Sequence, residues 1–229
     1  MIGIFDSGVG GFNALYELRR IFPLADIIYL ADRDNAPYGT KTREELISLI
    51  HRDIARLRER GADIILMACC TASTVYTMLS DEEQRICVPI IVPAARMTEG
   101  GRTAVIATEA TVRSHAFSDE IRKIYRNSAV SEIPAQRLVY EVEHGARTGC
   151  LTDEQTRYLD SLCASVSETH CDALVLGCTH FSHVEGEICA RLPSVRMISP
   201  AREGAHEIAR KYSENKAMCQ REHGRTVYM

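Results

Sequence analysis

Two seven-residue segments built on one template constrain this chain more than any other feature. Asp63-Ile-Ile-Leu-Met-Ala-Cys69 and Asp172-Ala-Leu-Val-Leu-Gly-Cys178 each run Asp, four apolar residues, one small residue, then Cys. A threonine follows each cysteine closely, Thr71 and Thr179. A short apolar run closed by a small residue reads as a buried strand, and the residues after each cysteine read as the start of a helix. Two equivalent strand-to-helix units in one chain call for a fold that alternates the two kinds of element.

The rest of the chain keeps that alternation. Ile2 to Phe5 reads as strand, Leu15 to Ile21 as helix and Ile27 to Leu30 as strand. Thr42 with Glu45 three residues later forms a capping box opening a long helix, which Gly61 ends from the C′ position. Ile64 to Met67 is the next strand and Ser73 to Leu79 is helix-like. Ala104 to Ala107 then reads as strand and Ala110 to Tyr125 as helix. Thr152 and Gln155 make a second capping box before a helix reaching about Thr169. Ala173 to Leu176 is strand, Glu203 to Tyr212 is helix, and the polar tail beyond is expected to fray. This pattern predicts an α/β fold of two doubly wound domains with mainly parallel sheets. Prolines and a Gly-Gly pair cluster between Pro89 and Gly101. The expected domains are therefore 1–92, completed by 200–229, and 93–199.

Composition removes several classes of function. The 229 residues carry a net charge of −4 with no basic block, which argues against nucleic acid or an acidic membrane as partner. No signal peptide opens the chain and no apolar run is long enough to span a bilayer, so a cytoplasmic location is expected. The 9 cysteines are odd in number and two are adjacent, Cys69 and Cys70, which favours reduced thiols over a disulfide framework.

Ligands of an open parallel sheet bind beyond the carboxyl ends of its strands, where Cys69 and Cys178 are expected. A helix amino terminus there lowers a thiol's pKa and favours the thiolate. A single cysteine in such a place reads as a small buried hydrophobe; two matched ones, each beside Thr, read as chemistry. Asp6-Ser7-Gly8-Val9-Gly10-Gly11 fails as a dinucleotide fingerprint, because its third glycine would fall on Asn13. An Asp and a Ser before glycines suit recognition of an ammonium group or orientation of a base, and equally suit capping of the next helix. His180 can tune the Cys178 thiol. Cys178, His180 and His183 lack a fourth ligand at zinc spacing, so no metal is expected.

These pieces together resemble the aspartate/glutamate racemase family, most closely its bacterial glutamate-specific members. The matching runs are Gly3-Ile4-Phe5-Asp6-Ser7-Gly8-Val9-Gly10-Gly11, Pro37-Tyr38-Gly39, Ala68-Cys69-Cys70-Thr71-Ala72-Ser73, Ile106-Ala107-Thr108 through Thr111, and Gly177-Cys178-Thr179-His180-Phe181. They follow the family order and cover nearly the whole chain. The resemblance implies a pseudo-symmetric pair of domains with the active site between them. It implies Cys69 and Cys178 as catalytic acid/base thiols, Asp6 as acidic partner on one side, and His180 with Glu143 on the other. Ser7, Tyr38, Gly39, Cys70, Thr71, Thr111 and Thr179 would then contact the α-amino and carboxylate groups of a small amino-acid substrate. The family usually has Asn after the first cysteine where this chain has Cys70, Pro where it has Ser182, and Ile-Asp-Ser-Gly where it reads Ile198-Ser199-Pro200-Ala201.

The implied reaction is racemisation of L- and D-glutamate without any cofactor, supplying D-glutamate for peptidoglycan, in a chain that can form a homodimer. A thiol suits it, because a free pKa of about 8.5 lets thiol and thiolate both exist near neutrality. Racemisation of aspartate or another amino acid, and a binding protein that has lost turnover, are the alternatives.

Overall fold

The computed structural model describes the backbone of residues 1–8, 10–145, 151–214 and 224–229, and the side chains of all of these except 143–145 and 213–214. The chain divides into two units, Met1–Pro93 with Ala201–Met229, and Ala94–Pro200.

The first unit begins with β1 (Ile2–Asp6), buried along its whole length, followed by α1 (Phe12–Ile21), β2 (Ile27–Ala31) and α2 (Arg43–Glu59). The expected capping box is present at α2: the Thr42 hydroxyl accepts from the Glu45 N–H, and the Glu45 carboxylate accepts from the Thr42 N–H. Gly61, at φ +89°, turns the chain out of that helix in a left-handed conformation. Then come β3 (Ile64–Met67), α3 (Cys70–Ser73), α4 (Asp81–Ile86), β4 (Cys87–Pro89) and α5 (Ile91–Arg96). The helix expected over Ser73 to Leu79 is absent: α3 stops at Ser73 and a single 3-10 turn covers Tyr76–Met78. The β strands pair in parallel in the order β4-β3-β1-β2. Ile65 and Met67 share a core with Leu46, Ile50, Ile54 and Leu57 of α2 on one face.

The second unit repeats the arrangement with β5 (Arg102–Ala107), α6 (Glu109–Ser114), α7 (Ala116–Ile124), β6 (Ala129–Pro134), α8 (Gln136–Gly145), α9 (Asp153–Glu168), β7 (Ala173–Gly177), α10 (Glu185–Arg191) and β8 (Arg196–Ile198). Its four parallel strands lie in the order β6-β5-β7-β8. Leu174 and Leu176 of β7 pack with Leu138 and Val139 of α8 and Leu159 and Leu162 of α9. On the opposite face Gly177 approaches Phe117 of α7 so closely that an added Cβ would lie 3.1 Å from its ring. The single helix expected over Ala110 to Tyr125 is broken at His115, which sits at φ +55° and turns the chain between α6 and α7.

The chain then returns to the first unit through α11 (Pro200–Glu214) and β9 (Thr226–Tyr228). Gly204 of α11 approaches Ile90 and Leu66, so this helix covers the face of the first sheet opposite α2. Of the tail expected to fray, residues 215–223 lie outside the described residues, and its last residues form a strand. β9 adds a fifth parallel strand beside β2, with Ile27 opposite Thr226 and Tyr29 opposite Tyr228, and the Arg19 guanidinium donates to Thr226 Oγ1. Among the described residues no helix is long and apolar enough to cross a membrane.

Candidate active site

Both sheets place their second strand on one side of the first and their third on the other, so the strand order reverses between the first and third strands of each unit. That reversal opens a crevice at the carboxyl ends, where α/β proteins bind ligands. In the first unit the residues there are Asp6-Ser7-Gly8 after β1 and Ala68-Cys69 after β3. In the second they are Thr108 after β5 and Cys178 after β7.

The first-unit crevice is tightly built. Asp6 is fully buried at the end of β1, and its Oδ1 accepts the Gly8 N–H at 2.8 Å. The Tyr29 hydroxyl donates to the Gly8 carbonyl at 3.2 Å, so the backbone on both sides of this turn is fixed. Asp6 therefore organises its own loop, and α1 begins at Phe12 with Gly11 as its N-cap. Gly11 has an ordinary helical φ of −67°, yet an added Cβ would lie 2.7 Å from Asp6 Cβ and 2.8 Å from the Tyr29 hydroxyl. The glycine is needed for close approach to the carboxylate.

Cys69 is 6% exposed, with its sulfur 3.8 Å from Ser7 Oγ, and holds extended backbone before α3. Burial, with the Asp6 carboxylate adding to it, pushes its thiol up to about 11. Hydrogen bonds from the Ala72 N–H and from Ser7 act the other way and are outweighed. The lowered pKa expected from a helix amino terminus is thus corrected: α3 has four residues, too short for a strong dipole, and desolvation wins. Cys70 and Thr71, the first residues of α3, are both buried.

Tyr38 and Gly39 lie in a 3-10 turn, Tyr38–Thr40, that packs against α3. The Tyr38 ring is buried, and its hydroxyl stands 2.8 Å from both Asp32 Oδ2 and Asp53 Oδ2. That hydroxyl is engaged within the protein, so the part of this turn left for a substrate is its backbone around the half-buried Gly39. Asp32, Arg52 and Asp53 behind it were not singled out from the sequence. Nothing marks them there, because their meeting depends on α2 crossing the sheet.

In the second unit Thr108 caps α6: its hydroxyl accepts the Thr111 N–H at 3.2 Å and donates to Thr111 Oγ1 at 2.9 Å. Thr111 is fully buried. Cys178 follows β7 in extended conformation, 8% exposed, and leads into a 3-10 turn, Thr179–Val184. Its sulfur lies 3.5 Å from Nδ1 of His180, itself buried with Thr179. His183 has its pKa lowered by burial and by His180. Among the described residues no group of three or more His, Cys, Asp or Glu is arranged to hold a metal ion. Glu143 lies in α8, and its side chain falls outside the described residues.

A buried thiol near a carboxylate after one third strand and a buried thiol against an imidazole after the other define a class: a parallel α/β protein with a matched pair of buried cysteines at its strand ends. Residues 17–208 match the model of the Asp/Glu/Hydantoin racemase family. The chain is 37% identical over 207 residues to a glutamate racemase from Desulforudis audaxviator, covering 87% of this chain and 74% of that one. Its fold superposes on a crystal structure of a glutamate racemase from Bacillus anthracis with a TM-score of 0.92 at 25% identity, covering 100% of this chain and 87% of the other. A glutamate racemase from Francisella tularensis, solved in complex with D-glutamate, gives 0.87 at 27% identity, covering 99% and 86%. The chain belongs to the Asp/Glu/Hydantoin racemase family.

Proposed function

We propose that this chain interconverts L- and D-glutamate by a two-base mechanism that needs no cofactor, with Cys69 and Cys178 as the two acid/base groups. The observation that carries the reading is that each unit ends its third strand in a buried cysteine with a titratable neighbour, Asp6 in one and His180 in the other. Relatives named glutamate racemase over most of this chain's length support glutamate as substrate. D-glutamate for peptidoglycan is the corresponding product, made in the cytoplasm.

Racemisation removes the Cα proton on one face and returns a proton on the other. One thiol serves each face, and the roles exchange with direction. Cys69, held near 11 without substrate, rests as a thiol and is the proton donor in that state. An incoming α-ammonium group would offset the Asp6 charge and lower the Cys69 pKa, making the thiolate accessible for the reverse direction. His180 exchanges a proton with the Cys178 sulfur across their 3.5 Å contact. Hydroxyl and N–H donors of Ser7, Thr71, Thr111 and Thr179 stabilise the charge that builds beside the substrate carboxylate. A second reading, racemisation of another amino acid, is favoured by Cys70 standing where the family usually has Asn.

The test is solvent deuterium entering Cα across a panel of L- and D-amino acids, repeated with Cys69→Ala and Cys178→Ala. Exchange with glutamate, no racemisation by either variant, and residual exchange of one enantiomer through the remaining thiol are expected. Exchange with a different amino acid moves the assignment to the second reading. Racemisation by either variant at the wild-type rate sinks the two-cysteine mechanism.

A further inference from the structure

The Tyr38 hydroxyl poses a counting problem. It has one proton, yet Asp32 Oδ2 and Asp53 Oδ2 both lie 2.8 Å from its oxygen. It can donate to one carboxylate; the other, at the same distance, must donate to it. Asp32 is the acceptor. Its Oδ2 also accepts from Arg52 Nη2 at 2.8 Å and its Oδ1 from Asn35 Nδ2 at 2.9 Å, as a carboxylate's oxygens do. Asp53 is fully buried, and the guanidiniums facing its Oδ1 stand farther off, Arg52 at 3.4 Å and Arg56 at 3.6 Å.

We propose that Asp53 is held as a neutral carboxylic acid, donating to Tyr38, which donates to Asp32, and that this relay is a positioning device for the Tyr38–Thr40 turn beside α3. Burial also raises the Asp53 pKa, in keeping with the geometry. The titratable and charged groups set against Asp53 are Asp32, Tyr38, Arg52 and Arg56. The relay grips Tyr38 by its hydroxyl, and the turn packs on the helix that begins one residue after Cys69. Asp53 touches no reacting atom; it acts through Tyr38 on the backbone of Gly39 and on α3. The positioning role rests on the racemase reading above, whereas the protonation state does not.

Asp53→Asn separates the possibilities, because an amide copies a protonated acid: its N–H donates to Tyr38 and its carbonyl accepts from the arginines. At neutral pH this variant should match the wild type in kcat/KM for L-glutamate and have a thermal midpoint no lower than the wild type's. A raised carboxylic pKa gives stability that is complete at acid pH and lost as pH rises through the folded value. Asp53→Asn should therefore equal the wild type in acid and become progressively the more stable protein as pH rises above the ordinary carboxylate range. Asp53→Ala and Tyr38→Phe should raise KM by roughly ten- to a hundredfold with a smaller change in kcat, because the turn is displaced while the thiols remain. If Asp53→Asn is as impaired as Asp53→Ala, Asp53 is an ion and the proposal falls. If the alanine variant does not fold, Tyr38→Phe decides the positioning role, and an unchanged KM overturns it. A wild type inactive on every amino acid would defeat the racemase reading and the positioning role with it, leaving the stability comparison to decide the protonation state alone.

Discussion

The sulfur of Cys178 lies 3.5 Å from Nδ1 of His180, two residues further along the chain and equally buried. The contact is made possible by the 3-10 turn after β7, which folds the chain back so that the imidazole reaches the sulfur. In this geometry the ring can supply or take a proton without leaving its place, as a tuning group for a thiol should.

His180→Gln keeps a polar side chain of similar reach and removes the titrating ring. We expect kcat/KM for glutamate to fall about 10²- to 10⁴-fold. The fall must be equal in both directions, since racemisation has an equilibrium constant of one. The primary deuterium isotope effects should become unequal, because only one of the two proton transfers has lost its partner. Steady-state rates with Cα-deuterated L- and D-glutamate measure this; unchanged rates would show that the contact is structural.

Cys69 should react as a high-pKa thiol in the substrate-free protein. With its pKa near 11, alkylation at Cys69, followed by peptide mass analysis, should rise about tenfold per pH unit between roughly pH 7 and pH 9, with no plateau. Asp6→Asn removes a negative charge that disfavours the thiolate, so the rate at a given pH should increase. A plateau near neutral pH would mean that the Ala72 and Ser7 hydrogen bonds outweigh burial.

Gly11→Ala tests how closely the Asp6 loop is packed. The added methyl group meets Asp6 Cβ at 2.7 Å and the Tyr29 hydroxyl at 2.8 Å. Overpacking of this kind costs about 1–3 kcal/mol, readable as a lower urea midpoint with an unchanged m-value. Activity should fall with it, since the Cβ displaced carries the Asp6 carboxylate. Wild-type stability together with wild-type activity would show that the loop gives way freely.

Cys70→Asn restores the residue usual in the family at the start of α3. An amide offers two donors and an acceptor where a thiol offers weak ones, and a hydrogen bond to a charged group contributes about 1.5–3 kcal/mol. If Cys70 weakens or redirects specificity, kcat/KM for glutamate should rise roughly tenfold or more, with aspartate assayed alongside as control. No gain with either acid would mean that position 70 does not set specificity.

Much of this protein was legible in its sequence for one physical reason: its signals are local. β3 was read residue for residue, because an apolar run buried on both faces looks the same in sequence as in the sheet. The capping boxes at Thr42 and Thr152 and the left-handed Gly61 are contained within a few residues, and all three are present. The two matched cysteines were likewise visible as a repeated template. Tertiary structure decided the features that depend on partners far along the chain. β6 has half-exposed, polar alternation, and β9 is three residues in a polar tail; each is a strand only because β5 or β2 offers an unpaired edge. His115 breaks a helix-like pattern where its ring meets Glu132, 17 residues away. The Cys69 pKa was misjudged from its neighbours in sequence, since desolvation depends on everything packed around the sulfur. The Asp32–Tyr38–Asp53 relay joins a loop, a turn and a helix, so no spacing rule could announce it.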